Sequence, residues 1–192
     1  SSTMGANSAL IFGIIINVAI LLVFFRFLMQ LAAVNAYNPV VMSTAKATKL
    51  VDVFGRIFPT VGKGRVNLAA LALIVVLYLL KIFGVMYLSG ATPNSPIHLV
   101  MLTFVTMIQD LIRFCRYLIF ATIILSWVVM FTQSRSPYIE VIQELAEPLL
   151  APFRRILPNM GMIDLSPIIA FLTLYIIEII MNQVAVVLLT GL

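Results

Sequence analysis

Apolar side chains in this chain are gathered into four long runs, and the stretches between them hold most of the lysine and arginine. The runs cover roughly 8–34, 67–88, 97–131 and 167–189. A helix that crosses a bilayer needs about 20 consecutive, mostly apolar residues, so the first, second and fourth runs each predict one crossing. The third has 35 residues, about 52 Å as a straight helix, against an apolar slab of about 30 Å. With no proline or glycine after Pro96, it predicts one long helix whose first part lies at the outer surface or projects from it. Start signals agree: Ser95-Pro96 and Ser166-Pro167 each set a capping hydroxyl before a proline at the first helical position. Asn67 would cap the second run, and Asn7 or Ser8 the first. Residues 1–8 hold no basic side chain and the first apolar run is too long for a signal-peptide core, so it reads as a span.

The two long polar stretches resemble each other. At an offset of 99 residues Leu50 matches Leu149, Phe54 matches Phe153, Arg56 matches Arg155, Ile57 matches Ile156, Pro59 matches Pro158 and Gly62 matches Gly161. Asn38-Pro39 echoes Ser136-Pro137 at an offset of 98. Each half reads as a span, an Asx/Ser-Pro turn, an amphipathic stretch, Arg-Ile-x-Pro-x-x-Gly and a returning span. In the second half Val141, Ile142, Leu145, Leu149, Phe153 and Ile156 recur at helical spacing, with Glu140, Glu144, Glu147 and Arg154 mainly opposite. Pro148 removes an interior helical hydrogen bond, which predicts two short interfacial helices with a kink at Glu147-Pro148. Pro158 and Gly161 then turn the chain back, as a structural corner or as a docking surface for a partner or a lipid headgroup. The expected fold is therefore all-α: one membrane domain, 1–192, with four transmembrane helices in two tandem repeats of parallel orientation, 8–95 and 96–192.

Composition supports a membrane setting. Of 192 residues 62% are hydrophobic and 10% charged, where soluble domains carry about 25% charged residues. A chain this short cannot bury so much apolar surface in a water-soluble core. The formal charge of +5 does not mark a nucleic-acid binder, because the basic residues are scattered and several sit inside apolar runs. Cys115 and His98 are the only residues of their kinds, so no internal disulfide, CxxC pair, haem-attachment motif or HExxH motif is available. Cys115 reads as a buried thiol and His98 as a polar residue near the interface.

Loop charge predicts orientation. Residues 35–65 contain Lys46, Lys49, Arg56, Lys63 and Arg65 with one acid, Asp52; residues 132–165 contain Arg135, Arg154 and Arg155 with four acids. The 89–96 linker has no charged side chain. Positively charged loops stay cytoplasmic, so both termini and the linker are expected outside. The opposite charge balance of the two loops predicts that Lys46 and Lys49 face Glu144 and Glu147. Arg65 stands where the second loop has Asp164.

Six charged residues fall inside the apolar runs: Arg26, Lys81, Asp110, Arg113, Arg116 and Glu178. Such groups cost at least about 2.5 kcal/mol at the bilayer centre, so they pair or meet water. Counted along the helices, both Arg26 and Arg116 lie within reach of Glu178. Lys81 is placed to extend to the interface or meet Asp110, and Asp110 and Arg113 are i,i+3 neighbours. Asn17, Gln30 and Asn182 are candidates for the same polar lining. Interhelical ion pairs, a polar pathway for an ion or proton, and a partner-facing site are all consistent with this pattern.

The run Ser126-Trp127, Ser136-Pro137, Glu147-Pro148-Leu149-Leu150-Ala151-Pro152, Arg154-Arg155-Ile156-Leu157-Pro158, Gly161, Asp164-Leu165-Ser166-Pro167 resembles the signature of the YggT family. The first half departs from it, with Lys49, Val53 and Gly55 where the second has Pro148, Pro152 and Arg154. The resemblance implies a small multi-pass protein of the bacterial inner membrane. It also implies roles like those associated with relatives: haem attachment to a cytochrome b subunit and thylakoid or nucleoid organisation in chloroplasts, osmotic tolerance and envelope or division functions in bacteria. It brings no catalytic residues, cofactor or metal ligands. No nucleophile–base pair or phosphate-cradling loop stands in the sequence either. The expectation is a non-enzymatic scaffold or assembly factor, with a small ion-permeation or osmotic-response component as the alternative. Expected partners are the lipid bilayer, a membrane protein or further copies of the chain, and anionic lipid headgroups, but no nucleic acid.

Overall fold

The computed structural model describes residues 2–90, 95–158 and 164–190. Its elements are α1 (Ser2–Leu31), α2 (Pro39–Ala47), α3 (Leu50–Phe54), β1 (Thr60–Val61), β2 (Val66–Asn67), α4 (Leu68–Ser89), α5 (Pro96–Thr132), α6 (Pro137–Ile156) and α7 (Ser166–Thr190). Among the described residues, four helices are long and apolar enough to cross a membrane: α1, α4, α5 and α7.

The long helices pack as two antiparallel pairs, α1 with α4 and α5 with α7. The first pair closes on small residues. A Cβ at Gly5 would come within 2.7 Å of the Leu88 carbonyl oxygen, and one at Gly84 would overlap the Phe12 ring. Glycine lets two backbones approach this closely where lipid supplies no hydrophobic drive. In the second pair Gln109 meets Asn182, Arg113 meets Glu178 and Phe120 meets Phe171. Each pair of numbers has the same sum, as straight antiparallel helices in one register require.

The shared core lies at the loop end of the bundle. Phe24, Leu28, Ile74, Ile119, Leu145 and Leu150 are buried together, with Val51 of α3 and Ala170 of α7. Phe114 of α5 meets Phe24 and Phe25 of α1 edge-on, with centroids 4.9 Å and 5.3 Å apart. Toward the other end Ile11, Ile14, Ile15, Leu80, Ile97, Ile180 and Val187 are exposed, as lipid-facing positions are.

Several expectations need correction. α6 is one helix through Pro148 and Pro152. Each proline removes one backbone donor, but the buried stripe Val141, Leu145, Ala146 and Leu150 packs across both positions and carries the helix through. The amphipathic face thus lies against protein. The matching stretch of the first half is divided into α2, α3 and a hairpin, in which Thr60 pairs with Asn67 and Val61 with Val66. Gly62, Lys63 and Gly64 all take positive φ in its turn, the left-handed conformation that glycine adopts without strain. α1 begins at Ser2, so Asn7 and Ser8 are interior.

α5 is a single helix of 37 residues, as expected. Its excess length is shared between the two ends. In the register set by Arg113 and Glu178, α7 covers α5 from about Met101 to Leu125 and leaves the stretches 96–100 and 126–132 beyond it. The second stretch carries exposed Trp127, a residue type that favours an interfacial level.

Replacing Gly84 by Leu should force α1 and α4 apart and lower stability by about 1–3 kcal/mol, the usual cost of overpacking. Thermal unfolding of the purified protein in detergent, beside Gly13→Ala, whose added Cβ would meet only Val85 at 3.8 Å, measures it.

Candidate functional site

The polar centre of the bundle is built on α5 and α7. Arg113 and Arg116, spaced i,i+3 on α5, present both guanidinium groups to α7. Their Nε atoms donate to the two carboxylate oxygens of Glu178, at 3.1 Å and 2.8 Å respectively. Glu178 is buried, and Arg116 lies against the rings of Tyr117, Tyr175 and Phe171 at 5.1, 5.3 and 5.6 Å. Cation–π contact of this kind offsets part of the desolvation of a buried guanidinium. Arg113 is different: its side chain is 43% exposed and reaches Asp110 at 3.9 Å. Asp110 accepts from the Tyr78 hydroxyl of α4 at 2.9 Å, which ties the two helix pairs together. Gln109 donates to Asn182 at 2.9 Å. The result is a polar strip along α5, neutral in sum over Asp110, Arg113, Arg116 and Glu178, with its Gln109–Arg113 side open.

Of the expected partners of Glu178, Arg116 takes that role and Arg26 does not. Arg26 is close to the end of α1, where the chain folds back to meet it. It pairs with Asp52 and donates to the Thr48 carbonyl at 2.8 Å. Lys81 sits over the Tyr78 ring at 5.6 Å instead of meeting Asp110, whose oxygen Tyr78 occupies. Arg113 as a second partner of Glu178 was not anticipated, although its spacing from Arg116 held the signal. Asn17 joins Tyr78, Asp110, Phe24 and Phe114 around a crevice of about 120 Å³. Gln30 accepts from Asn67 at 2.9 Å and donates to the Gly64 carbonyl at 2.6 Å, locking the hairpin to α1.

The loop layer forms the second polar region. The two loops do touch, but through amides: Asn38 donates to the Pro137 carbonyl at 3.1 Å, and the Asn35 backbone N–H donates to Glu144 at 3.3 Å. Among the described residues Lys46 and Lys49 pair with neither Glu144 nor Glu147, and Glu147 is taken by Arg154 on its own helix. Arg154 also meets Asp164 at 3.2 Å. Burial opposes the Asp164 charge, yet hydrogen bonds from Ser166 and the nearby Arg154 guanidinium outweigh it and hold this carboxyl below the usual carboxylate range. Asp164, through its bond from the Ser166 N–H at 3.0 Å, is the side chain that caps α7, in place of the expected Ser166 hydroxyl. Arg155 donates to the Ala151 carbonyl at 3.4 Å, while Arg56 and Pro59 are exposed between α3 and the hairpin. Pro158 is exposed, Pro167 is half-buried in the first turn of α7, and Gly161 lies outside the described residues.

Among known proteins, the profile of the CCB3/YggT family matches residues 101–185, which include most of α5, all of α6 and most of α7 with the whole polar strip. Relatives extend the likeness over most of the chain. An uncharacterized protein of Pseudomonas aeruginosa is 34% identical over 189 residues, 95% of this chain and 93% of its own length. Escherichia coli YggT, also described as uncharacterized, is 32% identical over 169 residues, 85% and 83% of the two chains. The chain belongs to the YggT family. An uncharacterized protein of Haemophilus influenzae is 34% identical over 170 residues, 88% of each chain. No solved structure matches.

Two predictions follow from this geometry. Glu178→Gln should destabilise the protein by about 2–4 kcal/mol, because two cations lose one buried carboxylate, whereas Arg113→Gln should cost clearly less since Arg116 still holds Glu178. Thermal melts in detergent separate the two. For Asp164, a lowered folded-state pKa means stability that is present above the ordinary carboxylate value and lost as pH falls through the folded one. Hydrogen exchange at the Ser166 amide should therefore lose protection only on acidification below about pH 4, beyond the intrinsic pH dependence of exchange, and Asp164→Asn should remove that extra loss.

Proposed function

We propose that this YggT-family chain is a non-enzymatic scaffold or assembly factor of the bacterial inner membrane, with a cell-envelope or cofactor-assembly role. In this reading it is one domain made of two tandem units, 8–95 and 96–192, with both termini and the 89–96 linker outside and the charged loops cytoplasmic. The recurrence of a long helix, a loop layer and a long antiparallel helix in each half supports the duplication. The charge of the two loops supports the orientation.

The observation that carries the scaffold reading is the open side of the α5 strip. Asp110 and Arg113 keep 34% and 43% of their side-chain surface exposed in the middle of an apolar helix. Polar groups at that depth are stabilised by hydrogen bonds from a neighbouring helix. The buried part of the strip fixes register, and the open part is left for a membrane partner, either another protein or a second copy.

The alternative, a small ion-permeation or osmotic-response component, draws on the crevice beside Asp110 and Asn17. Photo-crosslinking from position 109 in membranes distinguishes them. A discrete crosslinked partner or dimer, lost on Asp110→Ala with Arg113→Ala, supports the scaffold. No crosslink, together with ion flux in pure liposomes that falls on Asp110→Asn, supports the alternative.

A further inference from the structure

The two loop layers differ in what their charges do. In the second, Arg154 is held by Glu147 and Asp164, and the apolar face of α6 is buried in the bundle. In the first, the only acid of residues 35–65 is Asp52, and Arg26 of α1 takes it. Among the described residues Lys46, Lys49, Arg56, Lys63 and Arg65 are then exposed and have no ion-pair partner. Between them Met42, Leu50, Val53, Ile57 and Phe58 are exposed too, Ile57 at 77%.

Depth gives this corner a meaning that loop charge alone does not. Arg26 lies about 7.5 Å along α1 from its last residue, Leu31, and it holds Thr48 and Asp52 from there. The α2–α3 junction is therefore drawn back alongside the last turns of α1, a helix long and apolar enough to cross a membrane. Beside it, between the end of α1 and α2, runs an open groove of about 260 Å³ lined by Met29, Val34, Val41 and Ala45, with Arg26 at its wall. Free cations, exposed apolar side chains and an apolar slot at one end of a membrane-length helix suit an amphiphile with an anionic head.

We propose that the α2–α3 corner with the adjoining hairpin is a docking site for anionic phospholipid of the surrounding leaflet. The cations meet the phosphate-bearing headgroup and the groove beside α2 takes part of an acyl chain. The inference needs only that the four long helices cross the bilayer, so it stands apart from the partner at Arg113.

Native mass spectrometry of the full chain, released from micelles containing equal phosphatidylglycerol and phosphatidylcholine, reads the preference directly. Wild type should retain phosphatidylglycerol selectively. Lys46→Glu, Lys49→Glu and Arg56→Glu together should lower the bound ratio at least about tenfold, given roughly fivefold per cation near a membrane surface. Reversing Arg135 and Arg155 in the second layer should lower the ratio clearly less than the first-layer triple, since Arg135 borders a groove lined by Glu140, Glu144 and Glu147, which an anionic headgroup avoids. The neutral triple variant with Gln at the three positions, checked for a wild-type melt, should lose part of the preference even if the reversed one misfolds. Equal retention of both lipids by wild type, an equal loss from either layer, or displacement of phosphatidylglycerol by millimolar inorganic phosphate would each overturn the proposal, the last by pointing to a soluble anion.

Discussion

One carboxylate in an apolar setting organises this protein. Glu178 could not be buried as an anion alone, and neither could Arg116 as a cation; each makes the other tolerable. Because Glu178 also accepts from Arg113, a single buried acid answers two cations on successive turns of α5. Removing it leaves both unanswered, whereas removing either arginine leaves one pair whole. From that clasp the rest follows in order. α5 and α7 acquire a register, Asp110 is positioned for Tyr78, and Tyr78 joins the second helix pair to the first.

The same principle runs through the loop layer at lower stakes. Arg26 and Asp52, and Arg154 with Glu147 and Asp164, are partly exposed pairs whose energies water screens. They act through placement: one draws the first corner back along α1, the other closes α6 onto the start of α7. What those pairs leave unpaired differs between the two layers, and this difference gives the two halves of the chain different surfaces.

Much of this was legible from residues alone. Twenty or more apolar residues in a row admit few structures, so the four long helices could be read almost to their ends, with Ser95 and Asn67 as caps. The reach of Arg116 to Glu178 followed from counting along helices. What could not be counted was where the chain goes after a helix stops. Arg26 faces Asp52 because α2 and α3 fold back on α1, a tertiary fact with no local sign. Pro148 reads as a break, yet the buried face around it outweighs the lost hydrogen bond. The segment around Gly62-Lys63-Gly64 carries no strand signal, yet two residues on either side pair as strands.

The matched contacts along α5 and α7 also limit how the protein can answer a change in bilayer thickness. Sliding one helix past the other by a single turn, about 5.4 Å, would break the Gln109–Asn182, Arg113–Glu178 and Phe120–Phe171 contacts at once. A thinner or thicker membrane must therefore be met by tilting the pair as a rigid rod. Tilt of that rod is passed to α1 and α4 through the core shared at the loop end and through the seam at Tyr78 and Phe114, so both helix pairs must lean together.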